Sequence, residues 1–157
     1  ANVRHVFFID SSINGYEDLI PGLPENSIWY LLEARSDGVE QMAASLAHFS
    51  ELDSIQILSH VSSGRIQIGN ATLDNSNIEE YAPLLNQIGS SLTESGDIFL
   101  YGCDVASGEA GTQFINRLAQ MTGADVAASS DMTGVDGNWS LEKYARLNTV
   151  MRKKTLT

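Results

Sequence analysis

Runs of apolar residues recur along the chain at strand length, separated by stretches with helical spacing. "VRHVFFID" (Val3 to Asp10) and "IWYLLEA" (Ile28 to Ala34) read as buried strands, as do Ile55 to His60, Ile98 to Gly102 and Asp125 to Ser129. Between the first two lies a turn-rich connection with Gly15, Pro21, Gly22 and Pro24, and one helical turn is expected around Tyr16 to Ile20. Asp37, with Glu40 three residues on, has the form of a capping box, and Val39, Met42, Ala43 and Leu46 follow on one helical face that ends near Phe49. A second helix is expected from Ser76 or Asn77, with Ile78, Tyr81, Ala82, Leu85 and Ile88 buried and Pro83 kinking it or delaying its start. A third is expected from Gly108 or Glu109, with Gly111, Phe114, Ile115 and Leu118 on its buried face and Gly123 just past its end. Gly64 and Gly69 bracket a short alternating piece that reads as a small hairpin, and "NWSLE" is a candidate sixth strand.

Apolar strands that alternate with amphipathic helices imply an α/β fold: a mostly parallel sheet of about six strands, covered on both faces as a three-layer α/β/α sandwich. Residues 1–145 are expected to form the single domain. Residues 146–157, with Arg146, Arg152, Lys153 and Lys154, read as a basic tail or linker.

Ligands of such sheets sit beyond the carboxyl ends of the strands, near a switch in strand order. His60 closes the third predicted strand and Cys103 follows the fourth. Consecutive strands are usually neighbours, so the two side chains can meet. A thiolate is the reactive form of cysteine, and a nearby imidazole can take its proton and return it to a leaving group. The positive end of the helix starting near Gly108 favours a thiolate, whereas Asp104, next in sequence, opposes it.

Composition narrows the partners. The 157 residues carry 20 acidic and 9 basic side chains, a net charge of −11, which disfavours nucleic acid as a ligand. No apolar run approaches the about 18 residues that cross a bilayer, so this domain is not expected to insert in a membrane. No basic and then apolar leader is visible at Ala1, and one removed ahead of Ala1 would leave no trace. One cysteine forms no internal disulfide. His5 and His48 stand apart from other ligands at zinc spacing. "LDNSNIEE" and "DMTGVDGN" read as a helix cap and a turn, not as calcium loops. With neither a phosphate loop nor a G-x-S-x-G elbow, no cofactor is expected, and a nucleotide-binding α/β domain is the least favoured reading.

"ILSHVSSG" and "LYGCDVASGEAG" resemble the caspase-like cysteine peptidases, in which an apolar block precedes a His and a second apolar block precedes a Cys. The resemblance implies a caspase-hemoglobinase-like fold, His60 as general base and Cys103 as nucleophile. Tyr101 matches a position lining the primary specificity pocket. Asp10, Asp104 and Ser129 fall on the same rim, where Asp10 would pair with a basic side chain. Val61 stands where that group usually has glycine, whose amide helps form the oxyanion hole; Val61 serves only if its φ is negative, with Ser62, Ser63 and the Cys103 amide as further candidates.

Over Val6 to Glu142, "FIDSSI", "DGVEQMAASL", "LAQMTGADVAASSDMTG" and "GNWSLE" also resemble an uncharacterised bacterial domain found near the N-terminus of giant surface proteins with cadherin-like or calcium-binding repeats. This implies an exported, cell-surface setting within a larger bacterial protein. The expected partner is a peptide or protein segment, one of the same polypeptide included, and oligomeric state stays open. The alternative is an inactive peptidase-fold module that binds a peptide or serves adhesin export and assembly.

Overall fold

The computed structural model describes residues 2–62, 64–101, 108–128 and 149–151. The strands are β1 (His5–Asp10), β2 (Ser27–Leu32), β3 (Leu52–Leu58), β4 (His60–Ser62), β5 (Arg65–Ile68), β6 (Ala71–Asp74), β7 (Leu92–Tyr101), β8 (Asp125–Ala128) and β9 (Thr149–Met151). The α-helices are α1 (Gly38–Leu46), α2 (Ala82–Gly89) and α3 (Gly108–Thr122). One sheet has six strands in the order β2-β1-β3-β7-β8-β9. The first five are parallel and β9 runs antiparallel to β8. A second sheet, β4-β5-β6, is a small antiparallel meander. The result is an α/β fold with a mostly parallel central sheet flanked by helices, the three-layer arrangement expected from the alternation.

The right-handedness of parallel crossovers explains how the layers fill. The connections β2 to β3, β3 to β7 and β7 to β8 all advance the same way across the sheet, so α1, α2 and α3 land on one face. Val39, Met42 and Leu46 of α1, Leu85 and Ile88 of α2, and Phe114, Ile115 and Leu118 of α3 share one core with Val6, Phe8, Ile55, Ile57, Ile98, Leu100 and Val126. The connection β1 to β2 runs the opposite way and falls on the other face. There Ile13 and Leu19, with Tyr16, Ile20 and Leu23 beside them, cover Phe7, Ile9, Leu58 and Tyr101. The single helical turn expected at 16–20 is two 3-10 turns, Tyr16–Asp18 and Ile20–Gly22, with Pro21 in the first turn of the second.

Local sequence accounts for most element ends. The Asp37 side chain accepts from the Val39 and Glu40 amides at 2.8 and 3.4 Å and starts α1. Pro83 delays α2: Ile78–Tyr81 is a 3-10 turn and the α-helix begins at Ala82. Gly123, with φ 74°, donates to Ala119 and ends α3.

Four expectations are corrected. β3 ends at Leu58, and His60 opens β4 instead, opposite Gln67, because the chain leaves the main sheet at buried Ser59. The expected hairpin has a third strand, since Ala71–Asp74 pairs back on Arg65–Ile68. β7 begins at Leu92, well before Ile98, with a register shift against β3 between Leu52 and Ser54 that absorbs the polar "TESG". Thr149–Met151, assigned to the tail, adds a strand opposite Ala128, Ala127 and Val126, covering an edge that would otherwise end on small apolar residues. "NWSLE" and the basic residues 146 and 152–154 lie outside the described residues. Among the described residues no helix is long and apolar enough to cross a membrane.

A cavity of about 20 Å³ remains between the helices and the sheet, lined by Met42, Ile57, Ile68, Leu85, Ile98 and Leu118 among others. That is about the space of one water and its walls are apolar, so this cavity offers a ligand no room.

The Asp37 carboxylate that caps α1 also accepts from the Tyr81 hydroxyl at 2.6 Å. This bond, burial and the Asp37 charge push the Tyr81 phenol from 10.0 up to about 12. A phenol with a raised folded pKa holds its proton more tightly in the native state, so its contribution is complete below pH about 10 and is lost as pH rises toward about 12. Tyr81→Phe should cost about 0.5–1.5 kcal/mol near neutral pH in urea unfolding. The difference from wild type should shrink as pH is raised from about 10 to about 12.

Candidate active site at the carboxyl ends of β1 and β3

The strand order reverses between β1 and β3, so the switch point of the sheet lies where Asp10 ends β1 and where Ser59 and His60 follow β3. Asp10 is 4% exposed, and its carboxylate is held by donors from two segments. One oxygen, Oδ2, accepts from the Ser12 amide at 3.1 Å and from the Ser12 hydroxyl in a short bond. Oδ1 accepts from the Gly69 amide at 2.7 Å. The first set is an Asx turn that folds the chain back over the end of β1. The second fastens the β5–β6 turn to the same point. Gly69 has φ 61°, and a Cβ there would lie 2.2 Å from the Ser36 carbonyl oxygen, so both conformation and space require glycine.

The turn fixes the Ser12 carbonyl, which lies 3.2 Å from Nε2 of His60. A carbonyl can only accept, so Nε2 carries the hydrogen in this bond. In neutral His60 the lone pair is then on Nδ1. His60 is exposed, and its backbone is paired with β5. The histidine therefore has what a general base needs: a fixed tautomer, a rigid support and access to solvent. Ser59, just before it, is 1% exposed, and its hydroxyl has no hydrogen-bond partner among the described residues.

β3 and β7 are neighbours, with Leu58 opposite Tyr101 and the Ser59 amide donating to the Tyr101 carbonyl at 3.4 Å. Tyr101 is buried on the face away from the α-helices. Its hydroxyl donates to Gln56 Oε1 at 2.9 Å, Gln56 Nε2 donates to Ser54 Oγ at 3.0 Å, and Ser54 Oγ meets His5 Nδ1 at 2.7 Å. This row of polar groups crosses β7, β3 and β1 through an otherwise apolar layer. Burial lowers the His5 pKa, Asp53 raises it, and Arg4 lowers it. The neutral ring suits acceptance from Ser54.

Val61 and Ser62 lie in β4 opposite Ile66 and Arg65, so Val61 occupies strand backbone, which a β-branched residue readily adopts. Cys103, Asp104, Ser129 and Ser63 lie outside the described residues. Of the predicted site, the structure thus brings Asp10 and His60 together through Ser12 and sets Tyr101 at the end of the adjoining strand. Ser12, Gly69, Gln56 and Ser54 were not foreseen. "DSS" after a strand signals the Asx turn, but a backbone carbonyl facing a histidine 48 residues away leaves no trace in the pattern. Among the described residues no group of three or more His, Cys, Asp or Glu converges as a metal site.

The fold and this cluster define an α/β domain with a solvent-facing histidine at the switch point of a mostly parallel sheet. The chain belongs to the family described as Domain of unknown function (DUF4347), whose model matches residues 6–156. No curated protein matches it. A solved structure titled "Crystal structure of a small-chain dehydrogenase" is similar at 10% identity and a TM-score of 0.44, over 84% of this chain and 86% of that one.

Asp10→Ala leaves the Gly69 amide and the Ser12 donors without their acceptor and frees the turn that holds His60. Chemical denaturation should show a loss of about 1–3 kcal/mol. Asp10→Asn, which keeps one carbonyl oxygen, should lose less.

Proposed function

We propose that this domain is a cysteine peptidase of the caspase-like kind, with Cys103 as nucleophile and His60 as base. The observation that carries the reading is the pairing of β3 with β7. Leu58 and Tyr101 are registered partners, and His60 and Cys103 each follow two positions later. A thiol and an imidazole that start from the same point on adjacent parallel strands have the same end of the sheet to share. The Ser12 carbonyl adds support, since it holds Nε2 and leaves Nδ1 free to accept a proton.

In the proposed reaction Nδ1 takes the Cys103 proton and the thiolate attacks a peptide carbonyl carbon. The C–N bond breaks as the imidazolium returns the proton to the departing amine. Water, deprotonated by His60, then hydrolyses the thioester and restores the thiol. The substrate is an extended peptide segment, and self-processing of a longer exported surface protein is the setting the sequence resemblance favours. Asp10 has three protein donors, so in this reading it serves by holding the Ser12 turn, and Tyr101 supports the pocket from beneath.

Incubation with a thiol-directed peptidyl inhibitor should label the wild-type protein at Cys103. Cys103→Ala should abolish labelling with the fold intact by circular dichroism, and His60→Ala should slow it by about 10²-fold or more. A wild-type protein that ignores such reagents across about pH 5–9, the span in which an ordinary thiol gains reactivity, would sink the proposal.

A further inference from the structure

β2 is the outermost strand of the main sheet and pairs only with β1 among the described residues. Its sequence, "SIWYLL", contains none of the usual edge protections: no lysine, no proline, no charge. Ser27 through Leu31 are all half-buried, on both faces of the strand, and only Leu32 is fully covered. Trp29 leans on the cluster below the sheet, with its ring 6.2 Å from Tyr16, and Tyr30 stacks on Phe8 at 5.7 Å on the helix side.

Hydrogen bonds reveal which backbone groups face outward. The Asn26 carbonyl accepts from Arg4 and His5, and the Leu32 carbonyl accepts from Ser11. Even-numbered positions therefore point at β1, and Ser27, Trp29 and Leu31 point away. The next outward residue, Glu33, is closed off: its amide donates to Gln41 Oε1 and its carbonyl accepts from Gln41 Nε2, both at 2.9 Å. One side chain thus seals the upper end of the edge and leaves the stretch below it open.

We propose that this open edge pairs with β2 of a second copy, antiparallel, about a two-fold axis through Tyr30. That axis satisfies the parity of the outward groups. Trp29 and Leu31 of one copy exchange amide-to-carbonyl bonds with Leu31 and Trp29 of the second copy, giving four hydrogen bonds. Tyr30 faces its own equivalent at the close, non-bonded position, where aromatic pairs contribute most. The charges agree with this antiparallel direction. Glu25 and Arg35 are exposed, and neither pairs with another charge among the described residues. Glu25 and Arg35 flank the two ends of β2, so the antiparallel axis brings the end carrying Glu25 next to the end carrying Arg35 of the second copy, twice. A chain of net charge −11 repels its copies elsewhere, and here the two matched pairs and the uncharged strand replace repulsion with attraction. The partner is a second copy, and the assembly is one continuous sheet with the α-helices of both copies on the same face.

Sedimentation equilibrium on the 157-residue chain tests this, independently of the chemistry at His60. The wild type should move from 17.0 kDa toward twice that mass as concentration rises. Leu31→Lys, which puts a charge on the edge without touching the bonds to β1, should weaken association by about tenfold or more. Glu25→Arg and Arg35→Glu should each weaken it by about tenfold through two like-charge contacts, and the double swap should restore it. Circular dichroism checks folding, and should Leu31→Lys unfold, the swap series at exposed positions decides. A wild type that stays monomeric up to about 1 mM, or a dimer unchanged by these substitutions, overturns the proposal.

Discussion

One buried carboxylate ties the end of a core strand to two turns at the candidate site. Asp10 ends β1, yet its oxygens bind the turn that follows it and the glycine turn between β5 and β6. A carboxylate at 4% exposure is costly to bury unless donors surround it. Ser12 and Gly69 supply them, and in doing so they pin the β5–β6 turn to the end of β1, beside the core contacts of Ile66, Ile68 and Leu73 that hold the small sheet in place. The Ser12 carbonyl takes its position from that clamp, and with it the His60 ring it orients, while pairing with β5 holds the His60 backbone.

The large sheet supplies the rest of the frame. β3 is buried between β1 and β7, and its upper end defines both the switch point and the partner strand that leads to Cys103. The row from Tyr101 through Gln56 and Ser54 to His5 lies on the face away from the α-helices. A satisfied polar row of this sort specifies strand register, because a slip of one residue would turn each member to the opposite face. Register is what sets the end of β3 level with the end of β7.

Much of this frame was legible in the chain. Continuous apolar runs marked β1, β2, β3, β7 and β8, the Asp37 cap marked the start of α1, and the Phe114–Leu118 face and Gly123 marked α3. What stayed hidden were features without a local signature. β6 and the start of β7 are too polar to read as strand, and three-residue strands such as β4 and β9 are too short for any period to show. His60 was read as the end of a core strand because Ser59 does not break the apolar pattern, although the chain leaves the sheet there. At the site, residue type pointed to His60 and Asp10 singly. Their link runs through a backbone carbonyl and a glycine amide, which only three dimensions reveal.

The central claim is that Cys103 and His60 act on one another. The pH dependence of Cys103 alkylation by iodoacetamide, in wild type and in His60→Ala, measures this most directly, since the rate follows the thiolate fraction. A coupled pair predicts a wild-type thiol that titrates clearly below about 8.5 and returns toward that value when the imidazole is removed. Superimposable profiles with an ordinary midpoint in both proteins would contradict the account.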